Sequence, residues 1–424
     1  MLLLGLMLAL ALVGVPLVFA ILAASVVTLL VYRPGIPLEV VAQLFVSGLD
    51  TSLLLAIPFF FLAGELMNRG GITRRIVDFA NALVGPIPGG LGHVNVTSSM
   101  LFSGISGSAV ADTAAVGGVM IPAMVQRGFS RAFAAAITQT SSVIGPLIPP
   151  SIPMVVYAVL AQASVGQLFL GGVIPGLLTG LCLMVAVYFI SRRRDYPREP
   201  RGTVVEVGRR AGRASAALLA PLIIVGGILG GVFTATEAGA VAVFYSALVG
   251  AFLYRELGFT DIAHALGRAA RGTAVVMVIL GASAVFAWIV ADLQVSRTVA
   301  QGLFALTENP VAVLLLVNAF VLVVGLFMDP LAALVIVVPI FLPTAVQLGI
   351  DPIHFGVVII MNLMIGLCTP PVGYLIYLAA DMAQTPPEKV IRESLPFLAA
   401  LLLALLLCIL IPPFTLALPG LMDP

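Results

Sequence analysis

Apolar positions in this chain neither alternate at the period of a half-buried strand nor, over long stretches, leave a polar face at the period of a helix. Runs such as "PLIIVGGILGGVF" (221–233) and "LLLALLLCILI" (401–411) are apolar on every side. Stretches of about 20 such residues recur along the whole chain, the length a helix needs to cross hydrocarbon. Backbone groups there have no water to bond, so continuous runs predict helices; a transmembrane barrel would show short alternating segments. The expected class is an all-α polytopic membrane protein. Expected spans include 215–233, 236–254 and 272–291, and "GITRRIVDFANALVG" (71–85), basic among spaced apolar residues, reads as an arm helix along the inner interface. At the N-terminus the pattern leaves open whether Gly14, Val15 and Pro16 split residues 2–32 into two elements or kink one.

The chain repeats itself. Laying 121–150 over 342–371 aligns Pro122, Val125, Gln126, Gly128, Gly145, Pro149 and Pro150 with Pro343, Val346, Gln347, Gly349, Gly366, Pro370 and Pro371, a constant offset of 343 − 122 = 221. At the same offset Gly104 meets Gly325, Ser108 meets Asp329 and Pro175 meets Pro396. Two homologous halves follow: 1–190, with scaffold spans over about 1–90 and the interrupted elements over about 91–190, and 215–424, divided near 308. Between them, residues 191–214 form a basic linker with eight arginines against three acids, placed in the cytoplasm by the excess of positive charge.

Charge also orients the halves. After Pro122 the first half carries Arg127 and Arg131, whereas the equivalent "QLGIDPIH" has no lysine or arginine. One loop therefore faces inside and the other outside. Opposite charge bias at equivalent positions implies an inverted-topology repeat, an architecture of secondary transporters.

Each half contains two places where a continuous helix is unfavourable. "FSGISGSAVAD" (102–112) is rich in Gly and Ser, and in "GLFMDPLAA" (325–333) Pro330 disfavours helix at Asp329. Both are read as tips of re-entrant helical hairpins. The second pair of interruptions comprises the doublets Pro149-Pro150 and Pro370-Pro371, which follow Gly145 and Gly366 and give two discontinuous helices. Prolines donate no backbone hydrogen bond, so carbonyls one turn earlier are freed. At membrane depth a freed carbonyl is costly unless satisfied, and a monovalent cation can satisfy it. Ser103, Ser106 and Ser108 at the first tip, and Thr369 with Asp329 in the second half, offer further oxygens. Helix N-termini meeting at midplane, each worth roughly half a positive charge, can hold an anion without lysine or arginine. Asp329 serves either in function or as an interfacial cap, and Asp112 is open to the same two readings. Thr234 and Glu237 read as a capping box.

Composition removes other classes. Hydrophobic residues make up 61% of the chain and charged ones 9%, and a net charge of +1 gives no reason to invoke nucleic acid. Lys389 is the single lysine, so no P-loop for ATP exists. Cys182, Cys368 and Cys408, and likewise His93, His264 and His354, are too scattered for a metal cluster or a nucleophile–base pair. An intramembrane enzyme therefore has little support, and no organic cofactor is expected.

"SGISGSAVADTAAVGGVMIPAM", "GPLIPPSIPMVVYA", "GVFTATEAGAVA" and "GLFMDPLAALVIVVPIFLP" with "GLCTPPVGYLIYLA" together resemble the large membrane subunit of tripartite ATP-independent periplasmic (TRAP) transporters over essentially the whole chain. The resemblance implies an elevator-type, sodium-coupled importer of organic anions, such as C4-dicarboxylates, sialic acids or related carboxylates, in a bacterial inner membrane. It implies two partners, a small four-helix membrane subunit and a periplasmic substrate-binding protein. Sodium is expected at two or more sites where tips meet broken helices: Ser103, Ser106 and Gly145 in one half, and Gly325, Asp329, Gly366 and Thr369 in the other. Substrate is expected at Ser108, Ser151 and Asp329. The competing reading is a stand-alone sodium/dicarboxylate symporter that needs no binding protein.

Overall fold

The computed structural model describes residues 2–200 and 203–422, and every regular element among them is helical. Eight helices are long and apolar enough to cross a membrane, among them Val165–Arg193, Ala235–Leu253 and Pro387–Leu410. The chain is thus a multi-pass membrane protein. At the N-terminus it divides, Leu2–Leu12 and Leu17–Tyr32 packing against each other across Gly14, whose φ is +92°.

The sequence offset reappears as helix boundaries. Ala109–Gln126 and Pro330–Gln347 begin and end 330 − 109 = 221 residues apart. Arg131–Ser141 and Pro352–Gly366 also begin 221 apart, since 352 − 131 = 221. Equivalent caps start them: Ser108 and Asp329 accept from the backbone N–H of Ala111 and Leu331, and Ser130 and Asp351 accept from Phe133 and Ile353. A short polar side chain at such a position takes one of the N–H groups the first turn leaves orphaned. Gly128 and Gly349, at φ +90° and +74°, turn the chain after the first member of each pair. Both doublets, Pro149-Pro150 and Pro370-Pro371, carry cis peptide bonds.

Residues 132–141 and 353–366 are buried throughout, so the helices leading into the two breaks form the centre of the molecule. Beyond each break the chain crosses over. Ile152–Ala161 packs on Pro330–Gln347 of the other half, while Tyr374–Met382 packs on Ala109–Gln126 and Arg131–Ser141. Each half's post-break helix thus rests on the opposite half's tip helix. Around this centre lie Ala56–Arg69, Ala235–Leu248 and the 34-residue Phe259–Asp292, the first packed against both of the others.

Three boundaries differ from the sequence expectation. The span expected at 215–233 is Val204–Leu229, and the one expected at 272–291 extends back to Phe259, because charged residues are tolerated on helical turns that emerge from the membrane. At about 1.5 Å per residue, Phe259–Asp292 is roughly 50 Å long and exceeds the hydrocarbon thickness. Thr234 and Glu237 form the expected capping box. The arm expected at 71–85 is the helix Ile72–Val84, and a second short amphipathic helix, Val295–Phe304, has no counterpart in the sequence reading.

Within the basic linker, 191–193 and 204–214 belong to flanking helices, Arg201 and Gly202 lie outside the described residues, and the rest is docked. The Tyr196 ring lies 4.4 Å from that of Phe129 and 5.0 Å from that of Phe133. Glu199 pairs with Arg127 at 3.2 Å while its N–H donates to the Gly85 carbonyl, and Arg194 pairs with Glu393 at 2.8 Å. Replacing Tyr196 with Ala removes an aromatic cluster contact worth about 0.5–1.5 kcal/mol beyond its buried area. The expected outcome is faster trypsin cleavage at Arg198 and a lower melting temperature in detergent; cleavage at the wild-type rate would show that the connector does not depend on this ring.

Candidate functional site

The two tips and two breaks meet backbone to backbone. A methyl group added at Gly366 would stand 2.7 Å from the carbonyl oxygen of Gly325, too close for carbon and oxygen. In the first half a methyl at Gly145 would stand 3.5 Å from the Ser108 carbonyl oxygen, and one at Gly107, itself at φ +58°, 2.5 Å from that of Pro150. At Gly366 and Gly107 glycine lets tip and broken helix approach more closely than a side chain would allow, while at Gly145 the spacing is an ordinary contact. Gly145, Gly325 and Gly366 are therefore brought to the two junctions the sequence marked.

Two hydroxyls near the junctions spend their protons on their own helix, and a third points toward the first junction. Ser103 Oγ donates to the Ser99 carbonyl and Thr369 Oγ1 to that of Ile365 at 2.7 Å, while Ser106 Oγ lies 3.5 Å from the Ser108 carbonyl. A hydroxyl whose proton is spent on the backbone keeps its lone pairs for another partner, and lone pairs are what a cation binds. Ser151 is differently placed. It is fully buried, donates to the freed carbonyl of Pro146 and accepts from Met154 N–H, so its hydroxyl repairs the break and caps the helix Ile152–Ala161. The cleft takes up its neighbours Ile152 and Pro153 instead.

Ser108 and Asp329, equivalent in the repeat, both line one cleft of about 80 Å³ between the tips. Phe61, Pro146, Met364 and Leu367 complete its apolar wall. The first residues of three helices border it: Ala109 after Ser108, Pro330 after Asp329, and Ile152 after Ser151. Helix N-termini carry partial positive charge, and three converging on one cleft suit an anion. The Asp329 carboxylate accepts from Leu331 N–H at 2.9 Å and so caps its own helix from the cleft's edge.

One residue was undervalued by sequence pattern. Asp112 is fully buried one turn beyond the first tip, where its carboxylate faces the hydroxyls of Ser142 and Ser99. Ser108 already caps that helix, so Asp112 is not its N-cap. Its neighbourhood is polar, with Asn95 donating to Thr138 at 2.7 Å and Ser99 paired with Ser141 at 3.1 Å. The signal available in sequence was the density of small hydroxyls in "TQTSS" (138–142) facing an ionisable residue in an apolar run.

Known proteins supply an independent finding. The family model described as "Tripartite ATP-independent periplasmic transporter, DctM component" matches residues 4–414. The chain is 43% identical to the sialic acid TRAP transporter large permease protein SiaM of Vibrio cholerae, over 96% of this chain and 95% of that protein. It is 41% identical to the isethionate TRAP transporter permease protein DctMQ of Oleidesulfovibrio alaskensis, covering 94% of this chain but 63% of the longer relative. Among solved structures, the YdaH transporter of Alcanivorax borkumensis superposes with a TM-score of 0.63 at 16% identity, over 87% of this chain and 86% of that one. That likeness concerns the fold alone.

The junction geometry makes a specific prediction. Gly366→Ala forces its methyl against Gly325, an overpacking expected to cost about 1–3 kcal/mol and to separate tip from break. Gly118→Ala, on the tip helix with open space around it, is the matched control. Thermal unfolding of both should show a lowered midpoint for Gly366→Ala only; equal midpoints would refute the close approach.

Proposed function

This chain belongs to the DctM component family of the tripartite ATP-independent periplasmic transporters, and we propose that it is the sodium-coupled permease through which an organic anion is imported. The observation that carries the proposal is the single cleft at which both repeat-equivalent tips, at Ser108 and Asp329, meet three helix N-termini. Sodium ions at the two junctions would join tip to broken helix, one ion among Ser103, Ser106 and Gly145 and the other among Gly325, Asp329, Gly366 and Thr369. Their charge would assist the N-terminal dipoles of the three helices in holding a carboxylate in the cleft. Coupling then follows from linkage, since ions that assemble the anion site are bound more tightly when the anion is present.

In the reading that best unites these features, tips and broken helices move as one body against outer spans that include Val204–Leu229 and Ala235–Leu253. This is an elevator cycle across a bacterial inner membrane, with the connector near 194–203 on the cytoplasmic side. A small four-helix membrane subunit and a periplasmic substrate-binding protein are the proposed partners, the latter delivering the anion. Support for a carboxylate or similar acid comes from the cleft's polarity and from relatives named for sialic acid and isethionate.

Proteoliposomes carrying the chain, the small subunit and the binding protein test the proposal. Uptake of the cognate acid should require an inward sodium gradient. Asp329→Ala should raise the sodium concentration for half-maximal uptake by about tenfold or more, while Glu308→Ala, on an exposed loop, should leave it unchanged. Uptake at full rate without sodium would reject ion coupling, and full uptake without the binding protein would favour the stand-alone symporter.

A further inference from the structure

A groove of about 510 Å³ lies away from the cleft, between the arm helix Ile72–Val84, the stretch of Val204–Leu229 around Gly212 to Ala216, and the end of Val249–Leu253. Arg74 and Arg75 enter it from the first half of the chain, Arg213 from the end of the linker, on the helix Val204–Leu229, and Tyr254 from the second half. Arg75 is fixed in place: it donates to the Gly71 carbonyl at 2.7 Å and to Glu256 at 2.7 Å, and its guanidinium sits 3.9 Å from the centre of the Tyr254 ring. Tyr254 in turn donates its hydroxyl to the Arg213 carbonyl at 3.0 Å. A floor built of a stacked, doubly bonded arginine is preorganised.

The charge balance identifies what fits. Glu256 is neutralised by Arg75, and Glu206 nearby is taken by Arg210 at 2.6 Å. Among the described residues, Arg74 and Arg213 have no ion-pair partner, and the remaining acid in the groove is Asp78. Two unpaired guanidinium groups against one carboxylate leave a net positive site suited to a phosphate monoanion. Leu253 lines the same groove and is 62% exposed, and Phe252 beside it is 74% exposed. A soluble anion has no use for an apolar exit. A phospholipid does, its headgroup meeting the arginines and its chains running down the adjoining apolar span.

We propose that this groove binds the headgroup phosphate of an anionic phospholipid of the inner leaflet, held by Arg74 and Arg213 over the Arg75–Tyr254 floor. The lipid would join the two halves at their scaffold, because Arg74 belongs to the first repeat and Arg213 to the helix that leads into the second, and these helices already pack together. This does not depend on which substrate is carried.

Native mass spectrometry of the intact chain in detergent, supplemented with phosphatidylglycerol, phosphatidylethanolamine or inorganic phosphate, is the test. At about 1 kcal/mol per basic residue, the double variant Arg74→Gln, Arg213→Gln should retain phosphatidylglycerol about twentyfold less tightly. Arg74→Lys, Arg213→Lys should stay within about threefold of wild type, and Arg297→Gln, outside the groove, should match it. If the double variant does not elute as a monodisperse species, Arg74→Gln alone, on the exposed first turn of the arm, should give about a fivefold loss. Three results would overturn the proposal: undiminished phosphatidylglycerol retention in the glutamine variants, thermal stabilisation by millimolar inorganic phosphate equal to that by lipid, or expulsion of bound lipid when the small membrane subunit is added.

Discussion

A backbone carbonyl inside a membrane must find a partner, and the rest of this molecule is arranged around two turns where proline withholds the usual one. The two proline doublets withhold N–H groups from the turn before them, at the most buried level of the structure. One freed carbonyl, that of Pro146, is taken by the Ser151 hydroxyl. At the second doublet the carbonyls of Gly366 and Leu367 accept from the N–H groups of Thr369 and Leu375, and the carbonyls of Pro150 and Gly325 lie at glycine-walled contacts between tip and break. In the function proposed above, the glycines and the capped helix starts bring tip and break close enough to hold a cation between them.

Symmetry places these parts and asymmetry gives them roles. Ser108 and Asp329 occupy one position of the repeat and meet in one cleft, but only the second carries charge. Asp112 is matched by Ala333, since 112 + 221 = 333, so each half has one carboxylate at or one turn beyond its tip, never at the equivalent site. The halves are further tied by exchange of their post-break helices, each lying on the other half's tip helix. A movement of one tip is thereby felt at the other break, which physically links events at the two junctions.

Much of this was legible in the sequence because it is encoded locally. Offset, doublets, glycines and caps each depend on a residue and its near neighbours, and Thr234 with Glu237 formed the box their spacing announced. What escaped depends on contacts between distant segments. Whether Ser151 faces a ligand or a carbonyl is decided by how the chain turns at Pro149 and Pro150, which no spacing specifies. Tyr196 lies in a charge-rich stretch that resembles a tether until Phe129 and Phe133 are placed beside it. Asp112 sits where a cap is plausible, and only its burial against Ser99 and Ser142 sets it apart. The arginine groove, too, required the two halves to be brought together.

The central claim is that cations assemble the anion site, and equilibrium binding of the cognate organic anion to the purified chain measures this most directly. Binding is to be followed as sodium replaces choline at constant ionic strength. With one ion at each of two junctions, the logarithm of the association constant should rise with the logarithm of sodium concentration at a slope approaching about two below saturation. A slope of zero, with the anion bound equally well in choline, would contradict the account.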